Sequence, residues 1–142
     1  MTTPYLIVNN ACAAIEFYQQ VFTATALIRL AAPDGKIAHA ELKLASGHIM
    51  LADEYPEMGY KSPNTLGGSP VSIYLLVDDV DATFAAALAA GAQCMQAVSD
   101  QFDGDRRGSL IDPFGHIWLL ATKQETVSYV EITARFSAMM QG

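Results

Sequence analysis

Tyr5-Leu6-Ile7-Val8-Asn9-Asn10 and Tyr74-Leu75-Leu76-Val77-Asp78-Asp79 lie over one another at a shift of 69 residues. Each is a short apolar run stopped by two residues that turn the chain or cap a helix, the pattern of a buried strand leading into a helix. Behind the first run, Ala11, Ala14, Ile15, Tyr18, Val21 and Phe22 recur at three- and four-residue spacings. Glu16, Gln19 and Gln20 fall on the opposite face, so the spacing predicts a helix over Ala11–Phe22. Behind the second run comes an alanine-rich helix that ends at Gly91, as helices commonly do. The far ends of the two halves match as well: Gly47-His48-Ile49-Met50-Leu51 lies against Gly115-His116-Ile117-Trp118-Leu119, each a turn feeding an apolar strand. One five-residue coincidence carries little weight. Two in the same order around the same helix pattern indicate an internal duplication.

Between these landmarks the first half reads as three strands: Ala26–Leu30, Ile37–Leu44 and His48–Ala52. A Pro33-Asp34-Gly35 turn and a Ser46-Gly47 turn join them. The expected fold class is therefore α+β, two βαβββ modules forming cupped mixed sheets. The modules span residues 1–53 and 71–122, joined by a connector over 54–70 and followed by a C-terminal extension over 123–142, all within one domain. The connector carries Tyr55, Met58 and Tyr60 and reads as a lid, an arm or a mobile loop. The extension predicts a short helix over Ala134–Met140 that covers a partner or caps its own sheet.

Composition narrows the class. Of the 142 residues, 51% are hydrophobic, yet no run approaches the roughly 20 apolar residues needed to span a bilayer, so a soluble protein without a membrane partner is expected. Met1–Pro4 shows no basic region ahead of an apolar run, which points to the cytoplasm. Cys12 and Cys94 lack both metal-ligand spacing and a disulfide framework and read as reduced thiols. A net charge of −7 argues against a nucleic-acid partner, which needs a basic footprint. The acidic surplus serves solubility, or a preference for cationic ligands.

The two modules, the segment Asp112-Pro113-Phe114-Gly115-His116-Ile117-Trp118 and the preceding Phe102-Asp103-Gly104-Asp105-Arg106 resemble the glyoxalase/bleomycin-resistance (vicinal oxygen chelate) superfamily, specifically its PhnB-like branch. Glu57-Met58-Gly59, Lys61-Ser62-Pro63 and Leu66-Gly67-Gly68-Ser69-Pro70-Val71 resemble the connector of that branch. The resemblance covers nearly the whole chain. It implies that each module curls its sheet into a cup holding a ligand or a catalytic metal, and that two chains pair as a homodimer. In metal-dependent relatives His, Gln or Glu ligands come from the first and last strand of each module. Those positions fall here at about Thr3 and Ser72 and at Leu51 and Leu119, or at Met50 if the first module is aligned one residue differently. None suits a divalent metal, so no metal and no cofactor are expected. Some PhnB-like proteins carry a methyltransferase label, but no glycine-rich nucleotide loop follows a strand here.

Strand parity sorts the remaining candidates. Ala38, Ala40, Leu42 and Leu44 alternate with His39, Glu41 and Lys43, and a period of two sends the sets to opposite faces. By the same rule Leu6, Val8, Ile73, Leu75 and Val77 face the helices, leaving Tyr5, Ile7, Ser72, Tyr74 and Leu76 toward the cup. The candidate ligand-binding residues are Tyr5, His39, Glu41, Tyr74 and Arg106. His39 and Glu41 are also candidates for an acid/base pair, although alternate residues on a strand face often combine such side chains without chemistry. Arg106 reads as a fork for a carboxylate or phosphate, or as half of an internal ion pair with a nearby Asp. His48 and His116 read as turn residues and Trp118 as core. The leading expectation is a metal-free protein that binds a small molecule, sequestering an aromatic or cationic compound. The alternatives are a glyoxalase-like enzyme with an atypical site, and a fold serving association alone.

Overall fold

The asparagine and aspartate pairs that stop the two matching runs do the same work in the structure. Asn10 Oδ1 accepts from Ala13 N–H at 3.1 Å and Asp79 Oδ1 from Ala82 N–H at 3.1 Å, so each caps the helix behind its strand. In the computed structural model, which describes all residues from Met1 to Gly142, the first module runs β1 (Tyr5–Val8), α1 (Ala11–Phe22), β2 (Thr25–Ala31), β3 (Ile37–Leu44) and β4 (Gly47–Asp53). The connector forms a 3-10 turn at Pro56–Met58 and a single helical turn, α2 (Pro63–Leu66). The second module repeats the order as β5 (Ser72–Leu76), α3 (Val80–Ala89), β6 (Gln93–Asp100), β7 (Asp105–Ile111) and β8 (Ile117–Lys123). The sheets are ordered β1-β4-β3-β2 and β5-β8-β7-β6. Only the β1/β4 and β5/β8 pairs are parallel, and the other pairs are antiparallel. This is the α+β architecture of two βαβββ modules.

The C-terminal helix, α4 (Tyr129–Gln141), begins more than a turn before the expected Ala134. The reason is Ser128, whose hydroxyl accepts from Glu131 N–H at 3.1 Å and so starts the helix there.

Strand parity holds with one correction. Leu6, Val8 and Leu75 are buried against the helices, while Tyr5, Tyr74 and Leu76 are exposed on the other face. In β3, however, Leu30 pairs with His39 whereas Ala31 pairs with Ile37, which leaves Ala38 as the extra residue of a bulge. Ile37 takes the core place, 1% exposed, and Ala38 turns to the cup.

Register also corrects the alignment of the final strands. Tyr5 pairs with Met50 and Tyr74 with Leu119, so Met50 is the counterpart of Leu119. Leu51 instead pairs with Leu6 on the helix side and is fully buried. In pairing register the β7–β8 turn, Pro113–Gly115 between Asp112 and His116, is one residue longer than the β3–β4 turn, Ala45–Ser46 between Leu44 and Gly47, a difference that a gapless match of the two Gly-His-Ile segments cannot show. The counterpart of Trp118 is therefore Ile49, and both are core residues.

The modules share one core of 24 buried residues. At its centre the buried Asp112 carboxylate accepts from Tyr18 Oη at 2.5 Å, Trp118 Nε1 at 2.8 Å, Phe114 N–H at 2.9 Å and His116 N–H at 3.0 Å. A helix of module one is thereby tied to the turn and last strand of module two. Two further bonds cross the boundary at equivalent places: His116 Nε2 meets Ile7 O at 3.0 Å and Ser46 Oγ donates to Leu76 O at 3.0 Å. Within the modules Asp53 and Thr122 play matching parts. Asp53 accepts from Ala11 and Ile37 N–H at 2.8 and 2.7 Å, and Thr122 Oγ1 accepts from Val80 N–H at 2.9 Å.

Tyr18→Phe is expected to destabilise the protein by about 1.5–3 kcal/mol, the range for a hydrogen bond to a charged group, as read by denaturant melts. Burial first, and then Asp112, hold the Tyr18 hydroxyl well above its ordinary 10.0. A group whose pKa is raised on folding contributes stability that is present below the unfolded value and is lost as pH rises above it. The wild type should therefore lose stability more steeply than the variant from about pH 9 to about pH 11; parallel curves would refute this role.

Candidate functional site

The concave face of module two is occupied by its own ion pairs. Tyr74 Oη donates to Asp105 Oδ2 at 2.5 Å and accepts from Arg107 at 3.0 Å. Arg107 also reaches Asp103 at 3.0 Å and Asp105 at 3.8 Å, and its guanidinium carbon stands 5.7 Å from the Tyr74 ring centroid. Burial opposes the charge on Arg107, but its bonds to Tyr74 and Asp103 outweigh burial and hold its pKa above the ordinary value. Burial raises the Tyr74 pKa, and the bond to Asp105 adds to the shift.

Arg106 does not belong to this group. It sits opposite Thr122 on the helix side of the sheet, donating to Asp81 of α3 at 2.8 and 3.0 Å and to Asp100 at 3.1 Å. The sequence reading points to Arg106; the structure places Arg107 in the cup, because strand parity admits only one of two adjacent residues. A signal for Arg107 exists in the repeat, since a shift of 68 residues lays it over His39.

The concave face of module one is less encumbered. The Tyr5 hydroxyl and His39 Nδ1 are hydrogen-bonded at 2.8 Å and their rings stack at 5.5 Å. Burial, and then the neighbouring Tyr60, raise the Tyr5 pKa, so its hydroxyl is a neutral partner. Glu41 pairs with Met50 on the same face, but no hydrogen bond joins it to His39, so the proposed acid/base pair is not assembled. The structure thus brings Tyr5 and His39 together, leaves Glu41 beside them, and puts Tyr74 in the other module with Arg107.

The connector supplies the remaining wall. Glu54 Oε1 accepts from Ser62 N–H at 2.9 Å and Thr65 Oγ1 at 2.7 Å, bonds that hold its carboxyl below the usual range. Asn64 Nδ2 donates to Asn9 Oδ1 and Pro113 O, and a Cβ on Gly115 would stand 2.7 Å from Pro63, so α2 lies directly on the Asp112–Gly115 turn. Anchored this way, the Tyr55–Tyr60 hairpin forms one wall of a half-open cavity of about 610 Å³ lined by Tyr5, Ala38, Tyr55, Met58 and Tyr60 among others. A second cavity of about 510 Å³ lies between β1 and β5, with Lys61, Leu66 and His116 in its wall. Tyr5 borders both. These volumes suit a small organic molecule.

The residues available to a metal differ from the His, Gln or Glu set that the resemblance implies. On β1, β4, β5 and β8 the cup-facing positions include Tyr5, His48, Met50, Ser72, Tyr74 and Leu119, with one imidazole and no carboxylate among them, and nowhere do three His, Cys, Asp or Glu side chains converge. Hydroxyls and a thioether fit a divalent cation poorly.

The sequence model of the Glyoxalase/Bleomycin resistance protein/Dioxygenase superfamily matches residues 2–120. The Mycobacterium bovis protein Mb0911c is 46% identical over 143 residues, covering 99% of this chain and 94% of its own length. Among solved structures, PA1353 of Pseudomonas aeruginosa superposes with a TM-score of 0.72 at 28% identity, covering 88% of this chain and 98% of its own. The fold is also that of FosX, a fosfomycin resistance protein of Listeria monocytogenes solved with Mn(II) and sulfate (TM-score 0.66, 16% identity, 96% of each chain).

The pairing of Asp103 gives an acid-limb prediction. Burial disfavours its charge, but the Asp105 N–H and Arg107 prevail and hold its carboxyl below the ordinary 3.8. A carboxyl depressed on folding contributes stability that is present above the unfolded value and lost as pH falls through the folded one. Asp103→Asn should therefore lower the melting midpoint at neutral pH and converge with the wild type below about pH 3. A constant offset across that range would count against the pairing.

Proposed function

The chain belongs to the Glyoxalase/Bleomycin resistance protein/Dioxygenase superfamily, and from that membership we propose that it is a metal-free binder of a small organic molecule, aromatic or cationic, held in the cup of module one. The observation that carries the reading is a contrast. The positions that the resemblance assigns to metal ligands hold Thr3, Met50, Ser72 and Leu119, while module one has a cavity of about 610 Å³ walled by apolar and aromatic side chains. A small molecule, rather than nucleic acid or a lipid surface, is the partner that the acidic balance favours. No helix is long and apolar enough to cross a membrane, and the cytoplasm is the compartment we assign.

We also propose a homodimer. Leu27, Ile28 and Leu30 on the edge strand β2 are 51%, 40% and 56% exposed, an apolar strip that a second copy would cover. A second functional reading, a glyoxalase-like enzyme, draws on the Tyr5–His39 hydrogen bond, which leaves His39 Nε2 available as an acid or base in the cup.

Metal analysis of protein purified without chelator, together with a thermal-shift screen, tests the proposal. Metal well below one equivalent, no response to divalent ions, and a rising melting temperature with aromatic or cationic fragments are expected. A ligand at a hundred times its Kd adds about 2.7 kcal/mol. A stoichiometric metal that raises the melting temperature would overturn the metal-free reading and put the enzyme first. In the same preparation, sedimentation showing only single chains would refute the dimer.

A further inference from the structure

Two tyrosine rings in this protein already have a cation over them: Lys36 Nζ stands 4.8 Å from the centroid of Tyr55, and the Arg107 guanidinium 5.7 Å from that of Tyr74. Tyr74 is the repeat counterpart of Tyr5, and Arg107 is the counterpart of His39. Module two thus fills its cup with a permanent cation from its own chain, balanced by Asp103 and Asp105. Module one puts an imidazole in that place instead, and neither Tyr5 nor Tyr60 has a lysine or arginine over its ring.

The charges around the module-one cavity complete the contrast. Asp53 is the only formally charged residue in its wall, its carboxylate accepting from Ala11 and Ile37 N–H, and its counterpart in module two is the neutral Thr122; Lys36 stands against this wall over the Tyr55 ring and leaves the rings of Tyr5 and Tyr60 without a cation. Met58 and Tyr60, at its mouth, are 68% and 55% exposed, an apolar rim that a bound molecule would cover. The neighbouring 510 Å³ cavity has Lys61 in its wall and is the poorer place for a positive charge. An electron-rich ring attracts a cation that has shed part of its water, and several rings around one cavity do so together.

We infer that the module-one cavity is a site for an aromatic or alkyl ammonium cation, its charge held between the rings of Tyr5 and Tyr60 under the connector. The inference rests on the proposal that this cup binds small organic molecules, and it names the charge of the ligand and the side chains that read it.

Ligand-observed NMR titration with benzyltrimethylammonium, its uncharged isostere neopentylbenzene and the anion phenylacetate tests it. The cation should bind about tenfold more tightly than the isostere, with phenylacetate weaker still. Tyr60→Ala should weaken the cation about fivefold and Tyr60→Phe, which keeps the ring, should restore it. Leu66→Ala, in the other cavity, should leave it within twofold. Equal or tighter binding of the isostere or the anion, with the same dependence on Tyr60, would overturn the charge assignment while leaving small-molecule binding in this cup intact. Cation binding indifferent to Tyr60→Ala would overturn the site. Failure of the cation to bind at millimolar concentration would also overturn the inference, and the fragment screen above decides the wider reading separately.

Discussion

The Asp112 carboxylate accepts four hydrogen bonds inside the core, and the relation between the two modules depends on it. A buried carboxylate is tolerated only when its lone pairs are occupied, and a donor in the core is costly when its acceptor is lost. Here the donors come from α1, from the turn that Asp112 itself opens, and from Trp118 at the start of β8. Loss of this one acceptor leaves a tyrosine hydroxyl, an indole N–H and two backbone N–H groups without a partner at once. The aromatic packing follows from the same point: Trp118 lies 5.5 Å from Tyr18 and 4.6 Å from Phe22 because the carboxylate fixes both the indole and the phenol.

Around that centre the two halves have kept a backbone plan and diverged in side chains. Helix starts are secured by Asp53 in one and Thr122 in the other, and cup tyrosines are engaged by His39 in one and Arg107 in the other. Module two has become internally satisfied, its cup a network of Tyr74, Arg107, Asp103 and Asp105. Module one has kept space, roofed by a connector that is fastened to the opposite module through Asn64 and through the close approach of Pro63 to Gly115. The cavity therefore depends on contacts from both halves although its floor belongs to one.

Much of the architecture was legible because duplication prints the same strand-turn-helix signal twice, and the boundaries of α1 follow directly from its apolar spacing. The cup faces of β1 and β5 were legible from parity alone, which correctly separates Tyr5 and Tyr74 from Leu6 and Leu75. Parity fails where a residue is added. The bulge at Ala38 and the longer β7–β8 turn each shift one strand by a place, and neither has a compositional mark. Arg106 and Arg107 are adjacent and chemically identical, so only the register with β8 tells which of them enters the cup. The wall made by Tyr55 and Tyr60 is a tertiary fact, since it requires knowing where a connector of seventeen residues comes to rest.

The bonds from His116 to Ile7 O and from Ser46 to Leu76 O have a consequence for how such a chain could have arisen. β1 and β5 are the outermost strands on the inner side of their sheets, and each presents an edge of unpaired backbone groups that attracts other chains unless something occupies it. In this molecule each half blunts the other's edge at the same position, as two copies related by a twofold axis would. A lone half would carry that edge bare and its share of the core open. The ancestor that was duplicated is thus best pictured as a subunit that already lived in pairs, with gene fusion turning an encounter between molecules into a fold.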